Sequence, residues 1–273
     1  MLSEVLSLPA PSVYERLFHE ALETGWNVRR AAEAFGVTPH VYNETMEAFY
    51  KETDAFVFEL AVIHQHPACI EIDRQVVATV EAHQDQLGRG LSMVLLGDGI
   101  GSDSLRFAVA GYAVTYFEFK GLSASLAAAR FQKRRPQGRI RMIHALSEIP
   151  RGGYDCVVCR EVLEHVNDPP AVIASIWDYL APEGIAVITE SFGRVEPLFP
   201  THLAANLKYD GRTEGLFVET GFRLLRSYPG RRPMVFQKTA KEDASRFETL
   251  PRVSQVRRVL RGVRRRLSSL VSG

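Results

Sequence analysis

Three glycines, Gly97, Gly99 and Gly101, follow an apolar run in VLLGDGIGSDS, residues 94–104. A glycine-rich turn that leaves a strand and opens a helix lets the backbone approach a ligand that a Cβ would block, and it aims free amides at that ligand. Glu118 lies seventeen positions beyond Gly101, at the end of the next apolar run, AVTYFEF. A carboxylate there can accept hydrogen bonds from both hydroxyls of a ribose. Together the two features point to a nucleoside. The spacing argues against two common loops. Counted from Gly97, Ser102 stands where a dinucleotide-binding G-x-G-x-x-G needs its third glycine, and no G-x-x-x-x-G-K-[ST] phosphate loop is present.

Such a loop needs a strand before it and a helix after it. From residue 91 short apolar runs alternate with amphipathic stretches: 93–96, 113–117, 140–143, 155–159 and 185–189. This is the pattern of parallel strands joined by helical crossovers, a doubly wound α/β sheet. FRLLRSYP from Phe222 and PMVFQK from Pro233 read as a closing antiparallel hairpin. Residues 12–87 instead carry apolar positions at helical spacing, Val13, Leu17 and Ala21, then Phe49, Phe56, Leu60 and Ile63. The expected organisation is an N-terminal helical unit over 1–88, a core over 89–240 and a tail over 241–273.

The chain has 273 residues, 46% hydrophobic and 24% charged, enough for one sizeable core with a small accessory unit. Cys69, Cys156 and Cys159 are too few for a disulfide framework and fit a reducing compartment. No apolar run approaches the 18 or so residues that span a bilayer, and residues 1–11 lack a signal-peptide pattern, so a cytoplasmic location is expected. The net charge of +1 conceals an asymmetry: residues 252–273 carry seven arginines and no acid. Val253, Val256, Leu260, Val263, Leu267 and Leu270 form a helically spaced stripe among those arginines. A basic amphipathic segment of this kind suits peripheral contact with an anionic membrane face.

YDCVVCREVLEHVNDPP (154–170) and LAPEGIAVITE (180–190) follow the glycine loop and Glu118 in an order that closely resembles the class I S-adenosylmethionine-dependent methyltransferases, over about residues 90–240. The resemblance implies a seven-stranded, mostly parallel sheet whose last strand is antiparallel, with S-adenosylmethionine as cofactor. It places Gly97, Gly99 and Gly101 under the methionine part of that cofactor and Glu118 on its ribose. Cys159 and Arg160 would border the methionine end and the methyl group. Two positions depart from the family pattern: Leu95, two residues before the first glycine, and Ala145, after the third strand, replace acids common there. Asp98 is expected to restore part of the lost polarity, and Leu146 or Ser147 to meet adenine through backbone groups.

Methyl transfer from a sulfonium needs an in-line nucleophile about 3 Å from the methyl. A hydroxyl or ammonium-type acceptor also needs a base, and histidine suits that task. His165 in LEHV, just after the fourth strand, is the first candidate, the alternative being that it caps or packs the following helix. Glu161 and Arg160 could bind polar groups of an acceptor. The long segment 190–211 adds Glu190, His202, Asn206 and Tyr209, a polar set suited to a small or carbohydrate-like acceptor, as in natural-product or cell-surface glycan biosynthesis.

No metal site is expected. The two thiols of CVVC would point to opposite faces of a strand, and His64, His66 and Cys69 in IHQHPAC read as pocket lining. NVRRAAEAFGVTPHVYNETMEAF (27–49) resembles a helix-turn-helix, which opens a second reading as a ligand-sensing regulator. Its second helix, however, offers Glu44, Glu47 and Glu52 with only Lys51 as a cation, a poor surface for phosphates, so no nucleic-acid partner is expected. The segment reads better as a cover for the cofactor cleft, with Tyr50 and Phe56 in the lid. A third reading is a scaffold that binds the cofactor without catalysis.

Overall fold

Six helices, α1 (Leu2–Val5), α2 (Ala10–Leu22), α3 (Trp26–Phe35), α4 (Glu44–Glu52), α5 (Ala55–Ile63) and α6 (Pro67–Leu87), precede the first strand. The structure, a computed structural model, describes residues 1–136, 138–228 and 233–239; the expected amphipathic tail lies outside them. Local chemistry sets the helix ends. The Asn43 side chain accepts from the Met46 amide at 2.9 Å to start α4, Pro67 opens α6, and Gly36 and Gly88 close α3 and α6 in the left-handed conformation. The α2–α3 corner is built around buried Glu20, whose carboxylate accepts from the amides of Gly25 and Asn27. Arg16 then ties α2 to the start of α5 through a bidentate pair with Asp54, at 2.6 and 2.7 Å.

The strands and later helices follow as β1 (Ser92–Leu96), α7 (Ser102–Val109), β2 (Ala113–Phe117), α8 (Leu122–Arg134), β3 (Ile140–Ile143), β4 (Tyr154–Arg160), α9 (Pro169–Tyr179), β5 (Leu180–Thr189), α10 (Thr213–Thr220), β6 (Phe222–Ser227) and β7 (Met234–Lys238). They make one seven-stranded sheet in the order β3-β2-β1-β4-β5-β7-β6. The first five strands are parallel, and β7 runs antiparallel between β5 and β6. The expected doubly wound sheet with an antiparallel last strand is therefore present.

The central strands are apolar throughout because both faces are covered. Along β1, Met93 and Leu95 enter a layer with Val76 and Val80 of α6 and Phe107 of α7. Val94 and Leu96 enter the opposite layer with Ile173 and Ile176 of α9 and Phe217 of α10. So α6, read from the sequence with the N-terminal helices, packs directly on the sheet. Residues Met1–Thr239 form one compact unit. Helices α3 and α4 meet the start of α5 in a cluster of Val28, Ala32, Val37, Met46, Phe49 and Ala55. Val57 and Leu60 then carry α5 onto Ile100 of the glycine loop and Leu126 of α8.

Chain order reverses across the sheet between β1 and β4. In a doubly wound sheet, the crevice beyond the carboxyl ends of such a pair is where ligands bind. The glycine loop leaves β1 at this edge, and Arg160–His165 leaves β4 there.

Candidate active site

The glycine loop requires glycine. Gly97, Gly99 and Gly101 have φ of +67°, +50° and +72°, in the left-handed region that side-chain-bearing residues rarely adopt. Side chains also crowd the loop: a Cβ on Gly99 would lie 2.3 Å from Leu60 Cδ1, and one on Gly97 2.7 Å from Val162 Cγ2, so either neighbour would have to shift. Glu118, just past β2, accepts from the Gly99 amide at 2.8 Å and from the Phe119 amide at 2.9 Å. Burial raises the pKa of this carboxyl, while those two amides pull it down. A carboxylate oxygen accepts more than one hydrogen bond, so Glu118 keeps acceptor capacity for a diol.

Asp98 faces the other way. Its oxygens accept from the amides of Asp103 and Ser104 at 3.1 and 2.7 Å, which satisfies the first turn of α7 instead of offering polarity to adenine. At the end of β3, Leu146 is 42% exposed, and Phe119, past the adjacent β2, is 49% exposed. The Glu148 carboxylate holds the turn below Leu146 through the amides of His144 and Ala145. The His144 ring in turn lies 2.8 Å from the Glu118 carbonyl.

Beyond β4, Arg160 is held by two carboxylates. It reaches Asp73 of α6 at 2.9 Å and Asp103 of α7 at 2.5 Å, and Arg106 closes the square on the same two acids. This network pins α6 and α7 to the end of β4 and occupies Nη1 of Arg160 with both acids. Cys159 is fully buried in the layer that contains Val157 and Ile188, and Cys156 lies in the opposite layer, as the strand period requires.

The remaining groups gather on a 3-10 turn, Leu163–His165. Glu161, before the turn, has a positive φ of +50°, a strained conformation for a non-glycine residue, and its carboxylate accepts from the Ser191 hydroxyl. His165 Nδ1 lies 3.1 Å from the Thr201 carbonyl and 2.9 Å from the Tyr50 hydroxyl. A carbonyl can only accept, so Nδ1 carries the proton and Nε2 keeps its lone pair. Burial lowers the histidine pKa from its usual 6.5, which leaves the ring neutral near pH 7. The His165 ring meets His202 edge to face at 4.7 Å. Helix capping is not its role, because Asp168 caps α9 through the Ala171 amide.

Glu164 completes the group. It is 1% exposed, and neither carboxylate oxygen has a hydrogen-bond partner among the described residues. Burial first, and then the neighbouring Glu161 carboxylate, push its pKa well above the ordinary range. Donor atoms of Glu164, His165 and His202 all lie within 4.8 Å of one another.

The segment 190–211 holds this turn in place. Asn206 Nδ2 donates to the carbonyls of Val166 and Glu164 at 2.8 and 3.2 Å, and the Leu203 amide donates to the Glu164 carbonyl. Glu190 accepts from the Phe192 amide and the Thr213 hydroxyl, a structural use. The Tyr209 ring packs on Phe192 at 5.6 Å, in the layer under the site. Tyr50 stacks on Phe56 at 5.1 Å while its hydroxyl meets His165, so α4 reaches this turn through Tyr50.

Sequence reasoning missed Glu164, Thr201 and Ser191. Glu164 stands beside His165 in LEHV, but nothing in the local pattern marks it as buried. Thr201 acts through its backbone carbonyl, which leaves no trace in residue type.

Residues 57–226, more than half of the chain, match a family model described as a methyltransferase domain. The protein belongs to this family, the class I S-adenosylmethionine-dependent methyltransferases with a Rossmann-like fold. Among curated relatives, the ubiquinone biosynthesis O-methyltransferase of Psychrobacter cryohalolentis is 32% identical over 106 residues, which are 37% of this chain and 40% of that protein. The protein of the same description from Psychrobacter arcticus is 32% identical over 114 residues, 39% of this chain and 44% of its own length. The match thus spans less than half the length of these relatives. Among solved structures, the DszA carbon methyltransferase superposes with a TM-score of 0.56 at 14% identity, over 87% of this chain and 68% of that one. The CurJ carbon methyltransferase gives 0.53 at 16% identity, over 68% and 58%. These two likenesses concern the fold.

The family's cofactor is S-adenosylmethionine, and the residues present fit it. A loop with left-handed glycines at 97, 99 and 101 and a carboxylate at the end of β2 stand side by side at the switch point.

Proposed function

We propose that the protein transfers a methyl group from S-adenosylmethionine to a hydroxyl of a small molecule, with a carbohydrate-like acceptor of natural-product or cell-surface glycan biosynthesis as the finer reading. The observation that carries it is the juxtaposition, beyond β1 and β4, of the glycine loop with Glu118 and of a neutral His165 protonated on Nδ1. The description of the curated relatives as O-methyltransferases supports oxygen as the accepting atom.

When bound, the cofactor supplies an electrophilic methyl on sulfur. In this reading Glu118 holds the ribose, and Phe119 and Leu146 give adenine an apolar seat. His165 Nε2 takes the hydroxyl proton as the acceptor oxygen attacks, and the Thr201 carbonyl stabilises the imidazolium through Nδ1–H. Glu161, exposed at the mouth, hydrogen-bonds other acceptor hydroxyls. Tyr50 and Phe56 shield the reacting atoms from water.

The regulator reading finds no comparable support, since the exposed positions of α4 include Glu44, Glu47 and Glu52. No helix among the described residues is long and apolar enough to cross a membrane. The basic stripe of 252–273 supports peripheral docking on anionic lipid; truncation after Leu250 should then abolish sedimentation with anionic vesicles.

Calorimetry with S-adenosylmethionine and the intact protein tests the first half of the proposal, and a labelled-methyl screen of hydroxylated small molecules tests the second. Absence of cofactor binding by folded protein would refute it. Labelling confined to carbon or nitrogen would refute the choice of oxygen.

A further inference from the structure

Glu164 is the most costly unexplained group in the molecule. A carboxylate moved out of water needs hydrogen bonds or a counter-charge, and this one, at 1% exposure, has neither donor nor salt-bridge partner among the described residues. One donor atom each of Glu164, His165 and His202 lies within 4.8 Å of the other two. His165 Nδ1 donates to the Thr201 carbonyl, which leaves Nε2 unprotonated. A buried carboxylate set among imidazoles is a group that a cation held between them would satisfy.

We propose that Glu164, His165 and His202 bind a divalent transition-metal ion, and that this ion seats the acceptor oxygen. One carboxylate and two imidazoles make the donor set favoured by zinc, cobalt, iron and manganese, in preference to the all-oxygen sets of magnesium and calcium. The separations are close to what an ion needs. Bonds of about 2.1 Å bring ligand atoms to no more than about 4.2 Å apart. In a tetrahedral set they stand about 3.4 Å apart, so atoms that lie within 4.8 Å draw together by up to about 1.4 Å when the ion enters.

Outer contacts are also in place. The Thr201 carbonyl and the Tyr50 hydroxyl fix the His165 ring through Nδ1, and the His40 ring meets the His202 carbonyl at 2.9 Å, steadying the segment that carries the third ligand. Glu161 stands at the open side, able to hydrogen-bond a bound hydroxyl. With Nε2 of His165 on the ion, the ion takes over the task given to that nitrogen as base above: three ligands leave positions for the hydroxyl, whose proton affinity the ion lowers, so the acceptor reaches the methyl as an alkoxide or phenoxide. The proton leaves to Glu161 or solvent, and the new oxygen–carbon bond forms as the sulfur–carbon bond breaks.

This inference rests on the methyltransferase reading only for the role of the ion; the ion's binding is tested separately. Full-length protein freed of metal with a chelator is titrated with cobalt(II), and its visible absorption is recorded. One ion per chain should bind, with ligand-field bands of a low-symmetry nitrogen–oxygen site. E164Q and H202Q should each weaken binding at least about a hundredfold, whereas H66Q, on the exposed start of α6, should leave it unchanged. Zinc should displace the cobalt signal. Calorimetry with S-adenosylmethionine on the same samples should give affinities within threefold of one another. Absence of cobalt bands, or bands that survive in both E164Q and H202Q, would overturn the site even if cofactor binding is intact. Loss of cofactor binding in the unmodified protein would instead refute the methyltransferase reading and leave the metal result standing.

Discussion

The two halves of the crevice are built on opposite terms. On the cofactor side the polar groups are satisfied within the fold: Asp98 and Glu118 accept backbone amides with both oxygens, and the Tyr116 hydroxyl donates to the Gly99 carbonyl at 2.6 Å. Past the end of β4, Glu164 is buried without a hydrogen-bond partner among the described residues, Glu161 is held at positive φ, and the His165 and His202 rings meet edge to face. A satisfied network gives a rigid cradle whose shape is set before any ligand arrives. A buried carboxyl without a hydrogen-bond donor is a reservoir of electrostatic free energy, available to whatever cation or proton the chemistry brings.

Breaking the cradle should have the largest effect. Gly99→Asp places a side chain where Leu60 Cδ1 would be 2.3 Å from its Cβ and puts a side-chain-bearing residue at φ +50°, so calorimetry should show no measurable S-adenosylmethionine binding in a protein that still melts cooperatively. Binding within tenfold of normal would mean that the cofactor does not use this loop.

His165→Gln probes the other side. Turnover should fall by about 10²- to 10⁴-fold with cofactor affinity nearly unchanged, since the residue, as base or as ligand, would act only on the acceptor hydroxyl. An equal loss of cofactor affinity would erase the distinction between the two halves.

Asn206→Ala removes the donor that holds the carbonyls of Glu164 and Val166. Leaving buried carbonyls unpaired costs about 1–3 kcal/mol. That corresponds to a lower Tm by about 2–4 °C per kcal/mol in a domain of this size. Turnover should fall with it as the turn loosens. An unchanged Tm would show that the turn is held by the chain on either side.

Tyr50→Phe deletes one hydrogen bond to His165 and keeps the Thr201 carbonyl. Turnover should drop about 2- to 10-fold, and the acid limb of the kcat profile should move to lower pH, because the hydroxyl oxygen helps to stabilise the imidazolium. A purely structural tyrosine would leave that limb in place.

The smallest effect is on stability against pH. Burial lowers the His165 pKa below 6.5, so just under that pH the folded protein binds fewer protons than the unfolded chain. As pH falls through 6.5, the wild type should therefore lose stability relative to His165→Gln, and above it the difference should be constant. Parallel Tm curves for the two proteins would contradict the burial argument.

The sequence alone determined the sheet and the cradle. Continuous apolar runs separated by helical stretches can hardly be anything except strands covered on both faces, and glycine at alternate positions of a turn can be read directly because only glycine tolerates that backbone. Glu118 was legible for the same reason, lying at a set distance along the chain. Local rules also gave the opposite orientation of the CVVC thiols.

Tertiary structure decided what chain distance hides. Asp98 serves α7, and Arg160 is taken up by Asp73, 87 positions earlier, and by Asp103. His165 acquires its tautomer from a carbonyl 36 positions away and a hydroxyl 115 positions away. Glu164 becomes unusual only when Leu203 and Asn206 close over its turn. Burial and the direction of a hydrogen bond are properties of packed neighbours rather than of residue type, so the protonation states that matter to the chemistry exist only once the 190–211 segment and the N-terminal helices have met over the end of β4.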